Sequence, residues 1–160
     1  MTNYDFTIYE EAVLRVLAPM LEPLGKLREL KGYGGEIVLT EDGLVLITLG
    51  RFPAVLVEIS GADYSPGPGQ YYTEAPKVGI HVCSKSLRSQ DEARGGEDGC
   101  YPINREILSR LTGKKLKEDL HPLFPKSVQR LVAGVRDGQE HIMVYRWEFN
   151  FSNSRCQLEV

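Results

Sequence analysis

Residues 52–60, FPAVLVEIS, place Val55, Leu56 and Val57 in succession. Neighbouring side chains of a strand point to opposite faces, so a run that is apolar at nearly every position leaves neither face suited to water. The segment is therefore expected to lie inside a sheet, with protein against both of its sides. Pro53 is compatible only with the beginning of such a strand, because it donates no ladder hydrogen bond.

Around this strand, apolar periodicity marks two helices. From Thr7 to about Met20 the positions Tyr9, Val13, Val16, Leu17 and Met20 trace one helical face, and Thr7 with Glu10 fits a capping box. Glu11 and Arg15 stand at ion-pair spacing on the opposite side. Pro19 is placed to kink or end the helix, since its ring opposes an earlier backbone carbonyl. A second helix opens near Pro102, carries Ile103, Ile107, Leu108 and Leu111 as its stripe, and stops at Gly113.

The remaining regular segments read as strands. KLRELK (26–31) fits a short strand punctuated by GYGG (32–35). Residues 36–51 fit either a hairpin turning at Asp42 and Gly43 or a short helix, and periodicity does not separate the two. KVGIHVCS (77–84) alternates, with Val78, Ile80 and Val82 on one face and His81 and Cys83 on the other. VQRLVAGV (128–135), the turn RDGQ and HIMVYRWEFNF (141–151) predict a hairpin. Its second strand sets Met143, Tyr145, Trp147, Phe149 and Phe151 against Arg146, Glu148 and Asn150.

Glycine and proline interrupt the stretch 61–75, which carries Tyr64, Tyr71 and Tyr72, and 84–99 is polar and glycine-rich. Both are expected to be long surface loops, and residues 113–127 to be a linker. Helix, strands, helix, strands, without repeated strand-helix-strand units, predicts an α+β fold: a mainly antiparallel sheet with two principal helices packed on one face. A chain of 160 residues is expected to make one domain, 1–160.

Acidic residues number 22 and basic residues 19, interspersed along the chain, for a net charge of −3. No broad positive field exists to gather nucleic-acid phosphates. The start lacks the basic and apolar segments of a secretory signal, and no apolar stretch is long enough to span a bilayer, so neither nucleic acid nor membrane is an expected partner. Cys83, Cys100 and Cys156 are odd in number and widely spaced, which reads as reduced thiols.

Chemical motifs are weak. RGGEDG (94–99) precedes the second helix as a phosphate loop does, yet Cys100 and Tyr101 stand where lysine and serine or threonine are required, and Glu97 and Asp98 repel an anion. His81 and Cys83, joined by Cys100 or His141, lack the paired short spacings of a zinc site. As a Cys–His dyad, Cys83 and His81 compete with the plainer reading of a semi-buried thiol. DYSPG has Asp63 where a nucleophile elbow needs glycine. Glu118 and Asp119 diverge in direction and suit a solvated linker beside Lys114, Lys115 and Lys117. The carboxyl-terminal aromatic row alternates with only one arginine, which fits core packing better than a base-stacking platform. No catalytic, cofactor-binding or metal-ligating residue is assigned.

The order YEEAVLRVLAPML, RFPAVLVEIS, ARGGEDGCYPINREILSRLTGKKL, HIMVYRWEFNF resembles a family of small Mu-like prophage and phage tail proteins, over about Thr7 to Phe151. Its most specific elements are Arg51, Phe52, Pro53 and the following Ala54, Val55, Leu56 and Val57, then Arg94, Gly95, Gly99 and Tyr101, with Leu108, Leu111 and Gly113. The insert 61–75 is longer than the family's usual connection. The resemblance implies a tail-terminator-like α+β fold and a non-enzymatic role: capping the contractile tail tube and sheath, as a six-fold ring, and joining them to the head. It also implies assembly in the host bacterial cytoplasm, a place in the virion tail, and tube, sheath and head-completion proteins as partners. Another minor tail or head-tail joining protein is the alternative from the same setting, and a small thiol or metal enzyme using His81, Cys83 and Cys100 the alternative from another class.

Overall fold

Val55 and Val57 face one side of the central strand and Ala54 and Leu56 the other, and all four are sealed from solvent. The two-sided burial expected of this segment is what the fold is built around. The structure, a computed structural model, describes residues 6–39, 45–69, 71–116, 121–136, 138–151 and 156–159. Its strands are β1 (Glu29–Gly32), β2 (Ile37–Leu39), β3 (Val45–Ile47), β4 (Ala54–Pro66), β5 (Tyr71–Ser86), β6 (Leu123–Arg136), β7 (Glu140–Phe151) and β8 (Cys156–Glu159). The helices are α1 (Phe6–Leu17), α2 (Gln90–Gly95) and α3 (Cys100–Leu111).

The main sheet runs β1-β4-β5-β7-β6, with β8 also paired to β5. Only β1 and β4 are parallel; the other pairs are antiparallel, so the fold is α+β as the element order predicts. One transverse row shows the register: Val57 lies opposite Ile80, Ile80 opposite Trp147, and Trp147 opposite Val128. Because the side-chain period is two, this row puts Val78, Ile80 and Val82 on the same face as Met143, Trp147 and Phe149. Tyr9, Val13 and Leu17 of α1 and Ile103, Ile107 and Leu111 of α3 cover that face. Each such side chain contributes about 2 kcal/mol on burial.

A second core forms on the reverse of the sheet. Ala54, Leu56, Cys83, Ile142 and Val144 pack there under Ile47, Leu49 and Phe52. The ambiguous segment 36–51 is thereby settled as a hairpin, since β2 and β3 pair antiparallel with Val38 opposite Leu46. Its turn, at Asp42 and Gly43, lies outside the described residues. Leucine spacing alone did not separate hairpin from helix; the demand of Leu56 for a cover does.

Several local expectations are corrected. The stretch 61–75 is no loop: β4 and β5 continue through it as a paired arm, Tyr64 opposite Glu74 and Pro66 opposite Tyr72, with β8 alongside from Tyr71 to Glu74. Proline is tolerated because Pro66 ends its strand, and a register shift between Ile59 and Gly61 absorbs the irregularity. The stretch 84–99 keeps Ser84 and Ser86 in β5 and then forms α2, whose Ser89 Oγ accepts a hydrogen bond from the Glu92 N–H at 3.1 Å. Residues 123–127 belong to β6 rather than to a linker. Thr7 sits within the first turn of α1, which starts at Phe6, and Pro19 follows its end in a 3-10 turn, Ala18–Met20. Gly113, at φ +74°, lies just past the end of α3, where the left-handed conformation suits glycine.

Candidate functional site

The sheet separates the residues considered for thiol or metal chemistry. Cys100 opens α3 on the helix-covered face, its Sγ 3.4 Å from the Met143 carbonyl oxygen and 3.1 Å from Ser84 Oγ. Cys83 belongs to the reverse core with Leu56 and Val144. Burial pushes the Cys100 thiol up to about 12 and the Cys83 thiol higher still, so neither supplies a thiolate near neutral pH. Among the described residues no group of three His, Cys, Asp or Glu side chains is arranged to hold a metal ion. His141 pairs with Ser86 at the far end of β5, away from His81.

His81 does sit in a polar cluster that the sequence reading missed. Its ring stacks on Tyr33 at 4.4 Å, and its Nε2 lies 4.0 Å from Glu58 Oε1, which Arg146 Nη2 approaches at 3.4 Å. Gly79 makes room for this meeting, because a Cβ there would stand 2.9 Å from Arg146 Nη2. Burial holds the imidazole below the ordinary histidine range, outweighing the Glu58 carboxylate. His81 Nδ1 is buried without a hydrogen-bond partner among the described residues. Under the Tyr33 ring, the cluster reads as a sheet-face network.

RGGEDG has a structural explanation. A Cβ on Gly96 would lie 2.5 Å from the Glu92 carbonyl oxygen, and one on Gly99 would lie 2.8 Å from that of Arg94. These glycines let the chain double back between α2 and α3. No phosphate is needed to account for them.

A groove of about 420 Å³ lies beside the sheet edge. Tyr101, Asn104, Arg105 and Leu108 reach it from one flank of α3, at the i, i+3, i+4 and i+7 spacing of a helical stripe. Val128, Tyr145 and Trp147 form its sheet side. Trp147 Nε1 donates to Asn104 Oδ1 at 3.0 Å, and Tyr101 meets Tyr145 edge-on at 5.9 Å. Tyr101 and Val128 are about half exposed. Arg94 stands 5.8 Å above the Tyr101 ring, and Arg105 and Arg130 form no salt bridge among the described residues. Periodicity assigned the aromatic row of β7 to the core, where Trp147, Phe149 and Phe151 are buried and Tyr145 packs against them, but it carried no sign that Tyr145 and Trp147 also wall a groove.

Comparison with protein families matches residues 6–153 to the bacteriophage Mu, Gp37 family. The chain belongs to that family. The Gp37 match runs from the start of α1 past the end of β7, so both the groove and the β4–β5 arm lie inside the family region, while β8 lies beyond it. Comparison with curated proteins gives no match. Membership in a Mu phage family supports a structural or assembly part in a phage particle. No helix among the described residues is long and apolar enough to cross a membrane.

Proposed function

We propose that this Gp37-family chain is a non-enzymatic virion assembly protein, the tail terminator that caps the contractile tail tube and sheath and joins them to the head. The family match over residues 6–153 carries this reading. Two features support it: the thiols considered for catalysis are buried and protonated, and the open groove is apolar and aromatic, a surface suited to protein contact. Tail tube, sheath and head-completion proteins are the proposed partners, met in the host bacterial cytoplasm and retained in the virion tail.

Terminators work as rings, and six copies are proposed from the resemblance to Mu-like tail proteins. A small subunit suffices because each weak contact is repeated until the ring closes. The arm 61–75 and the segment 85–99 are the proposed contact segments. Deleting the gene from an inducible prophage is expected to leave tails of uncontrolled length or tails without heads. Normal particles would reject the role, and labelled electron microscopy placing the chain elsewhere on the tail would favour a minor tail or joining protein.

A further inference from the structure

The helix layer ends one strand short of the sheet. Across the row Val57, Ile80, Trp147 and Val128, relative exposure runs 0%, 0%, 6% and 43%. α1 packs on β1 and β4, and α3 packs on β5 and β7 and turns one flank toward β6. The widths explain the gap, since five strands about 4.8 Å apart make a sheet about 24 Å wide and two helices side by side cover about 20 Å of it. The groove is the place this leaves, between the flank of α3 at Tyr101, Arg105 and Leu108 and the sheet at Val128 and Trp147.

Its charge is one-sided. α3 holds one carboxylate, Glu106, which Arg110 engages at 3.0 Å, and β6 holds none. Arg105 lines the groove, and Arg130 stands opposite Tyr145 on the same face of the sheet. Both arginines are exposed, and neither forms a salt bridge among the described residues. Two such arginines beside an apolar floor complement carboxylates on a segment whose apolar side chains fill the floor.

We propose that an acidic amphipathic helix of another protein of the particle seats in the α3–β6 groove. The inference rests on the assembly reading above and supplies the chemistry of one partner. The helix lies beside α3, sets its apolar stripe on Leu108, Val128 and Trp147, and points carboxylates at Arg105 and Arg130. A strand added along β6 is disfavoured, because Pro125 and two register shifts interrupt that edge. A helix of a second folded copy is disfavoured too, since Val13 and Leu17 of α1, Ala93 of α2 and Ile103 and Ile107 of α3 are buried in the chain's own core.

Trp147 is the single tryptophan of the chain, so its emission reads the groove directly. The probe is a tryptophan-free peptide of about 18 residues, with leucine at i, i+3, i+4 and i+7 spacing and glutamate on both flanks; a second peptide carries lysine in place of glutamate. The glutamate peptide is expected to change Trp147 emission below about 1 mM and to bind about tenfold more tightly than the lysine peptide. Arg105→Glu with Arg130→Glu is expected to reverse that preference, a result that loss of fold cannot produce, and far-UV circular dichroism checks the variant. No emission change with the glutamate peptide, equal affinity of the two peptides, or an unchanged preference in the variant overturns the proposal. Displacement of the glutamate peptide by oligothymidylate, or self-association of the parent that the variant loses, also overturns it, in favour of nucleic acid or a second copy. Particle assembly separates the contact from the broader role. A double variant that complements the gene deletion at wild-type titre overturns this contact alone, whereas a deletion that leaves particles normal removes the assembly role on which the partner's identity rests.

Discussion

Trp147 donates its indole N–H to Asn104 Oδ1 at 3.0 Å, tying the middle of β7 to the flank of α3. The bond joins residues that are 43 positions apart and sets one wall of the groove. Asn104→Ala leaves the indole N–H without this acceptor, and the expected loss is about 1 kcal/mol. In a chain of this size that is a fall in Tm of about 3 °C by calorimetry.

Leu56 marks how much the reverse core matters. It is fully buried under the layer that contains Phe52 and Ile47, so Leu56→Ala is expected to cost about 2–5 kcal/mol in urea unfolding. Val128→Ala, at a half-exposed groove position, should cost about 0.5 kcal/mol or less. Equal losses from the two variants would contradict the two-sided core.

The corner between α2 and α3 depends on absent side chains. Gly96→Ala forces a Cβ toward the Glu92 carbonyl and is expected to destabilise by about 1–3 kcal/mol. Gly50→Ala meets nothing within 4 Å and is the matched control, expected within about 0.5 kcal/mol of the parent. Thermal unfolding of both measures the difference.

His81 makes stability depend on pH in a defined direction. Burial lowers its folded pKa below the ordinary 6.5, so the unfolded chain binds more protons just below that value. The stability associated with neutral His81 is present above the unfolded pKa and is lost as pH falls through the folded one. Urea midpoints at pH 7.5 and pH 5 are expected to drop further for the parent than for His81→Phe, whose ring can still stack on Tyr33. Equal drops would overturn the assignment of this response to His81.

Thiol accessibility follows from burial on both faces. In a Cys156→Ser chain, Cys83 and Cys100 are expected to stay unreactive to a disulfide reagent until denaturant is added. Rapid labelling of Cys83 in the native protein would reopen the thiol-enzyme reading.

What the sequence determined by itself is local repetition. The alternation of Val78, Ile80 and Val82, the stripe Ile103, Ile107 and Leu111, and the stop at Gly113 each follow from geometry that neighbouring residues impose on one another. The continuous apolar run at Val55, Leu56 and Val57 also stated that both faces of β4 must be covered. Which element does the covering was left to tertiary structure, and so was the state of 61–75: its glycines and prolines signal a loop until β5 and β8 supply cross-strand partners. The groove belongs to the same category. Tyr101 and Leu108 come from a helix, Val128 and Trp147 from two strands, and only the register of β6 on β7 against α3 brings them together. Periodicity says which way each side chain points, but pairing between distant segments decides what it meets.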